Sequence, residues 1–148
     1  MPKELQSSRM DHWMHILKMQ GYRVTAPRQV IVDIMVDSDR ALSPVEVYDL
    51  GREEYPRLGL VTVYRTLEKL SELGLIERVH QPDDCHRYLR ATQGHQHLLI
   101  CSSCGRVVYF SGDDLDFLFN RVAQDTGFEI DEHWLQLFGT CPACLNNN

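Results

Sequence analysis

Two Cys-x2-Cys turns, Cys101-Ser102-Ser103-Cys104 and Cys141-Pro142-Ala143-Cys144, stand 36 residues apart in the second half of this chain. Such a turn aims two thiolates at one point, and a pair of turns completes the all-sulfur tetrahedron preferred by structural Zn²⁺. Buried reduced cysteines or a redox dithiol are the alternative uses of the same residues. If the four thiolates hold one ion, everything between them folds as a loop pinned at both ends. Four protein ligands leave no open coordination position, so this zinc would hold structure and catalyse nothing.

The chain has 148 residues and five cysteines. An odd count cannot pair fully, no run approaches the length of a membrane span, and the first residues lack the apolar core of a signal peptide. We therefore expect a cytoplasmic protein in which cysteine serves metal chemistry, with no membrane partner. At this length the chain forms one domain, or two small ones helped by a metal or a partner subunit.

Net charge is −6, which argues against indiscriminate binding to nucleic acid. The charge is uneven: after residue 90 the only basic residues are Arg106 and Arg121, whereas the first part balances Arg and Lys against its acids. Two modules with different partners are implied.

Met10, Trp13, Met14 and Leu17 recur at helical spacing and stop at Gly21. Thr25-Ala26-Pro27 opens a second helix carrying Val30, Ile31, Ile34 and Met35. Ser43-Pro44-Val45-Glu46 is a capping box for a third, closed by Tyr55-Pro56. Val63, Leu67, Leu70 and Leu73 make a fourth, ended by Gly74. Residues 75–80 and 86–91 read as a hairpin around 81–84. Helices followed by a hairpin predict a winged helix-turn-helix over residues 1–91. From residue 92 the pattern changes to strands at His97–Cys101, Arg106–Phe110 and Phe128–Phe138. Between them lies a helix capped by Ser111 or Asp113, with Leu115, Leu118, Phe119 and Val122 on its apolar face. The fold class is α+β, with a small α/β module over residues 92–148.

His95-Gln96-His97 places two imidazoles on one face of a strand. Asp116 and His133 could complete a set of three imidazoles and one carboxylate. Val63-Tyr64-Arg65-Thr66-Leu67, the His95/His97 pair, Cys101-x2-Cys104-Gly105 and Cys141-x2-Cys144 together resemble the ferric uptake regulator (Fur) family of metal-responsive repressors, most closely its zinc-sensing branch. The resemblance implies an N-terminal winged-helix DNA-binding domain, a C-terminal dimerisation domain, a four-cysteine structural zinc and one or two regulatory sites. It places His95, His97, Asp116 and His133 at the dimerisation-domain regulatory site.

At the family's hinge site the chain departs from the pattern. The expected ligand positions fall near Ala41, Leu89, Gln96 and Leu98, none of which binds metal well. Cys85-His86, with His80 one strand back, offers a zinc-type alternative, because a soft thiolate suits Zn²⁺ better than Fe²⁺. Thr62, Tyr64 and Arg65 begin the fourth helix, where a recognition helix reaches base edges. The resemblance makes Tyr64 a base contact. Arg65, Arg28 and Arg23 are base or phosphate candidates, and Arg57 and Lys69 are further phosphate candidates.

The expected function is a homodimeric, zinc-responsive repressor on double-stranded operator DNA. Its cofactor would be Zn²⁺, structural and regulatory, with Fe²⁺ or Mn²⁺ as alternative regulatory ions. Iron- or peroxide-responsive regulation, or a winged-helix regulator with purely structural metals, are the alternatives. An enzyme is not expected: deaminases need H-x-E with P-C-x-x-C, zincins need H-E-x-x-H, and thiol oxidoreductases place C-x-x-C beside a βαβ pattern.

Overall fold

In the computed structural model, which describes residues 3–80, 85–92, 96–111 and 115–146, the chain divides into two units, Met1–Ala91 and Thr92–Asn148. The first contains four helices and a hairpin: α1 (Lys3–Met19), α2 (Ala26–Asp37), α3 (Pro44–Glu54), α4 (Leu60–Glu72), β1 (Ile76–His80) and β2 (His86–Arg90). The turn at 81–84 lies outside the described residues.

Each helix follows from local chemistry. In α3 the capping box forms in both directions: Ser43 Oγ accepts from Glu46 N–H at 3.2 Å, and Glu46 Oε2 accepts from Ser43 N–H at 2.7 Å. Two of the donors that a helix start leaves unpaired are thereby satisfied. Thr25 sits at the N-cap of α2 with extended backbone but makes no side-chain cap bond; Pro27 sets that helix start instead. After α4, Gly74 adopts φ 69° and donates to Ser71 O, while Leu75 N–H reaches back to Leu70 O. Any residue with a Cβ would be strained in that left-handed turn.

The apolar faces meet in one core. Trp13, Met14 and Leu17 of α1, Ile31, Val32, Met35 and Val36 of α2, Val47 of α3, and Val63, Leu67 and Leu70 of α4 are buried together with Ile76 and Tyr88 of the hairpin. Each large aliphatic side chain removed from water contributes roughly 2 kcal/mol. The hairpin pairs antiparallel from Ile76↔Arg90 to His80↔His86. It is tied to the helices by the bridge Leu42↔Tyr88 and by two arginines of β2. Arg87 Nη1 donates to Ala41 O at 3.1 Å and to Glu46 Oε2 at 3.0 Å, and Arg90 Nη1 donates to Val36 O. This is a winged helix-turn-helix.

The second unit contains β3 (His97–Cys101), β4 (Val107–Phe110), α5 (Asp116–Thr126), β5 (Gln136–Gly139) and α6 (Pro142–Leu145). The sheet order is β4-β3-β5, with β3 antiparallel to β4 and parallel to β5. Parallel neighbours need a crossover, and α5 lies within it.

Three expectations require correction. The last strand starts at Gln136, not Phe128, because β3 runs in register with residues 136–139 and its Leu98 N–H reaches back only as far as Leu135 O. The helix starts at Asp116 behind Leu115, whose side chain makes no cap bond; Ser111 is not its cap, and Asp113 lies outside the described residues. The apolar stripe of α5 is not buried: Leu118 and Val122 are exposed and Leu115 and Phe119 half-exposed. Among the described residues no helix is long and apolar enough to cross a membrane.

Candidate nucleic-acid interface and metal centre

The cysteines converge because β3 and β5 run in the same direction. β3 delivers Cys101 at its end, and β5 ends at Gly139, two residues before Cys141. Ser102 N–H donates to Gly139 O at 2.8 Å, so the two turns leave the sheet side by side. The first turn closes through Gly105 N–H to Cys101 O at 2.9 Å, with Gly105 at φ 73°. A side chain at that left-handed position would strain the turn. The second turn is the start of α6, where Cys144 and Leu145 N–H both reach Cys141 O.

The four Sγ atoms all lie within 4.8 Å of one another. Cys104 and Cys141 Sγ are 3.7 Å apart. A tetrahedron with Zn–S bonds of about 2.3 Å has edges of about 3.8 Å, so the quartet fits zinc. The thiols are unequal. The backbone N–H of Cys141, 3.3 Å from Cys101 Sγ, and then that of Cys104 lower the Cys101 thiol to about 6. Cys141 is lowered by the backbone N–H of Cys144. Cys144 is raised to about 12, first by Cys141 and then by Cys104, whose sulfurs share its proton. A dication replaces such shared protons, which is how thiolate sites couple metal uptake to proton release.

At the opposite end of β3, His97 is 3% exposed. Its ring lies 5.4 Å from that of His133 and 5.5 Å from that of Phe110, and Phe119 stacks on His133 at 4.0 Å. Two imidazoles sharing one tetrahedral zinc have ring centres about 5 Å apart, so this pair is compatible with a common ion. His133 lies in the irregular run before β5 rather than on the strand expected there. Asp116 opens α5 and is exposed. His95 lies outside the described residues. On the hairpin, Cys85 and His86 are exposed, and the register sets His86 opposite His80. Ala41, Leu89 and Leu98, where the resemblance would put hinge ligands, are buried apolar residues.

On α4 the buried positions Val63, Thr66, Leu67 and Leu70 leave Val61, Tyr64, Arg65 and Glu68 outward, with Thr62 half-exposed. Tyr64 is 45% exposed. Arg23 and Arg57 are exposed, and Arg28 Nη1, in the first turn of α2, donates to Arg23 O at 2.6 Å just before that helix. Lys69 is engaged elsewhere: its Nζ is 2.8 Å from Glu72 Oε2 and lies over the Tyr22 ring. The bracing arginines of β2 and the outward Val61 escape a reading of the sequence, because neither breaks a periodic pattern; the phase of Val61 against Val63, Leu67 and Leu70 is the available clue.

A model described as the ferric uptake regulator family matches residues 19–138. The chain is 33% identical over 141 residues to the ferric uptake regulation protein of Bacillus subtilis (strain 168), covering 93% of this chain and 95% of that protein. Two solved structures share the fold. The Helicobacter pylori ferric uptake regulator, described as having three functional metal binding sites, superposes with TM-score 0.75 at 23% identity over 95% of this chain and 93% of the other. A zinc uptake regulator complexed with zinc and DNA superposes with TM-score 0.67 at 24% identity over 96% of each chain.

Proposed function

The chain belongs to the ferric uptake regulator family of metal-responsive transcription regulators, and we propose that it is a zinc-responsive repressor that binds palindromic operator DNA as a homodimer. The observation that carries this reading is a second donor set apart from the cysteines. His97 and His133 meet at one end of β3 and the quartet sits at the other, roughly 13 Å away along the strand. One set can hold structure while the other responds.

In this reading residues 1–91 bind DNA, with Tyr64 at base edges, Arg65 and Thr62 beside it, and Arg23 and Arg28 on bases or phosphates. Residues 92–148 form the dimer. Cys101, Cys104, Cys141 and Cys144 hold the structural zinc, and His95, His97, Asp116 and His133 hold the regulatory ion. Buried apolar residues at Ala41, Leu89 and Leu98 favour a zinc-type over an iron-type arrangement, with Cys85, His86 and His80 as the donors available at the hairpin. Bound metal supplies a fixed crosslink among its ligands. The ligand residues bind better in the dimer arrangement that sets both α4 helices at the spacing of successive major grooves. A coupling of about 1–3 kcal/mol changes operator affinity roughly 5–150-fold, and DNA tightens metal binding equally.

The test is elemental analysis of the purified protein through a zinc titration, read with fluorescence anisotropy on DNA upstream of its own coding sequence. Tightly held zinc in the quartet plus further zinc that switches on DNA binding supports the reading. His133→Ala should abolish the switch and keep the tight zinc. DNA binding indifferent to added zinc would assign the metal a structural role alone.

A further inference from the structure

The outward face of α4 carries an apolar residue that its own fold does not use. Val61 is 63% exposed in the first turn, out of phase with the buried Val63, Leu67 and Leu70. It lines up at i, i+4 and i+7 with Arg65 and Glu68. Leu60 and Tyr64 beside it are also exposed, so the tip of the helix is an apolar surface with one arginine at its edge. A β-branched residue here lowers helix propensity relative to alanine and leaves most of its surface in solvent. Its branched, stiff side chain does suit one feature of a major groove. Each thymine presents a C5-methyl group there, and apolar side chains at the start of a recognition helix discriminate it from cytosine by contact alone.

We propose that Val61 is a specificity-determining residue that reads a thymine methyl group in each operator half-site. The inference rests on the DNA-binding reading above. It assigns the helix tip a division of labour: Val61 senses a methyl, and Arg65 one turn later supplies the hydrogen bonds. Val61 carries no charge, so it contributes to the choice of sequence and not to the electrostatic attraction that any duplex exerts.

The full-length, zinc-loaded protein is first used to select its binding sequence from a random duplex pool. Each thymine of the selected site is then replaced by deoxyuridine, which deletes only the methyl group, and affinity is read by fluorescence anisotropy. The wild type should lose about fourfold per half-site at one thymine position, the value of one buried methyl group. Val61→Ala, which favours the helix, should fold, bind the thymine duplex about fourfold more weakly per half-site, and no longer distinguish thymine from deoxyuridine at that position. An unchanged salt dependence marks the loss as non-electrostatic. Equal thymine preference in wild type and variant, or no methyl-sensitive position in the wild type, overturns the assignment. Failure of the wild type to select any sequence would overturn the DNA-binding reading itself, and this assignment with it.

Discussion

The two units solve the problem of stability differently. The first buries side chains from four helices and a hairpin in one cluster, whereas in the second, among the described residues, the only buried apolar side chains are Leu98, Ile100 and Cys101. α5 buries nothing. Phe117 is 76% and Trp134 88% exposed, and Val108, Leu99 and Leu137, adjacent across the sheet, all face out. A unit of this size with so little core needs a metal crosslink, a partner surface or both. The second unit is therefore the part least able to stand alone, and a metal held by the thiolate quartet would compensate for the core it lacks.

The comparison is broken most directly at the quartet. Cys104→Ser should remove the tightly held zinc and with it a folding contribution on the order of 10 kcal/mol. Elemental analysis and sedimentation should then show a metal-poor chain that no longer assembles, while the helical circular dichroism of the first unit persists. Retained zinc and normal assembly would mean that the second unit has a core of its own.

The next effect lies in the first unit. Leu70→Ala empties a fully buried site in α4 and should cost about 2–5 kcal/mol in urea unfolding without changing zinc content. Zinc loss in this variant would show that the units do not keep separate accounts of stability.

Gly51→Ala sharpens the packing of α3. A Cβ there would sit 2.4 Å from Leu58 Cδ2. Overpacking of about 1–3 kcal/mol is partly offset by the better helix propensity of alanine, so a net loss of about 1 kcal/mol is expected by the same unfolding assay. A gain would show that the Leu58 side chain swings aside freely.

The smallest effect is a pH dependence. Burial first, then the charges of Asp37 and Glu54, raise the Asp33 carboxyl above its ordinary 3.8. The folded state holds this proton more tightly than the unfolded chain. This group therefore adds stability as pH falls through its raised value, with the full gain below 3.8, and is a slight liability when ionised at neutral pH. Asp33→Asn should raise the neutral-pH urea midpoint slightly and remove that part of the acid-side dependence. A lower midpoint at neutral pH would show that the carboxylate is stabilised by its surroundings.

Much of the first unit is legible in the sequence because its signals are local. The Ser43–Glu46 box, Pro27, and the leucine period ending at Gly74 each specify a helix end or face within a few residues. The second unit is less so. Nothing local shows that residues 128–134 fall outside the strand, since the length of β5 is set by β3, more than thirty residues earlier. The exposed stripe of α5 reads as a buried face because periodicity marks a surface to be covered without saying by what. The cysteine quartet is visible because fixed spacing reflects fixed ligand geometry. The His97–His133 approach depends on the crossover, so the residues alone offer it only as one possible grouping and the resemblance is what singles it out.

The parallel register of β3 and β5 also has a kinetic meaning. It joins Leu98 to Gln136, while the hairpin joins Ile76 to Arg90, so the two units differ in how far the chain must search before a contact repays its closure entropy. The helical unit can finish early, leaving the later strand as the slow step with four thiols exposed meanwhile. A cation held by both turns would shorten that search, so refolding of the second unit is expected to speed up as zinc is added.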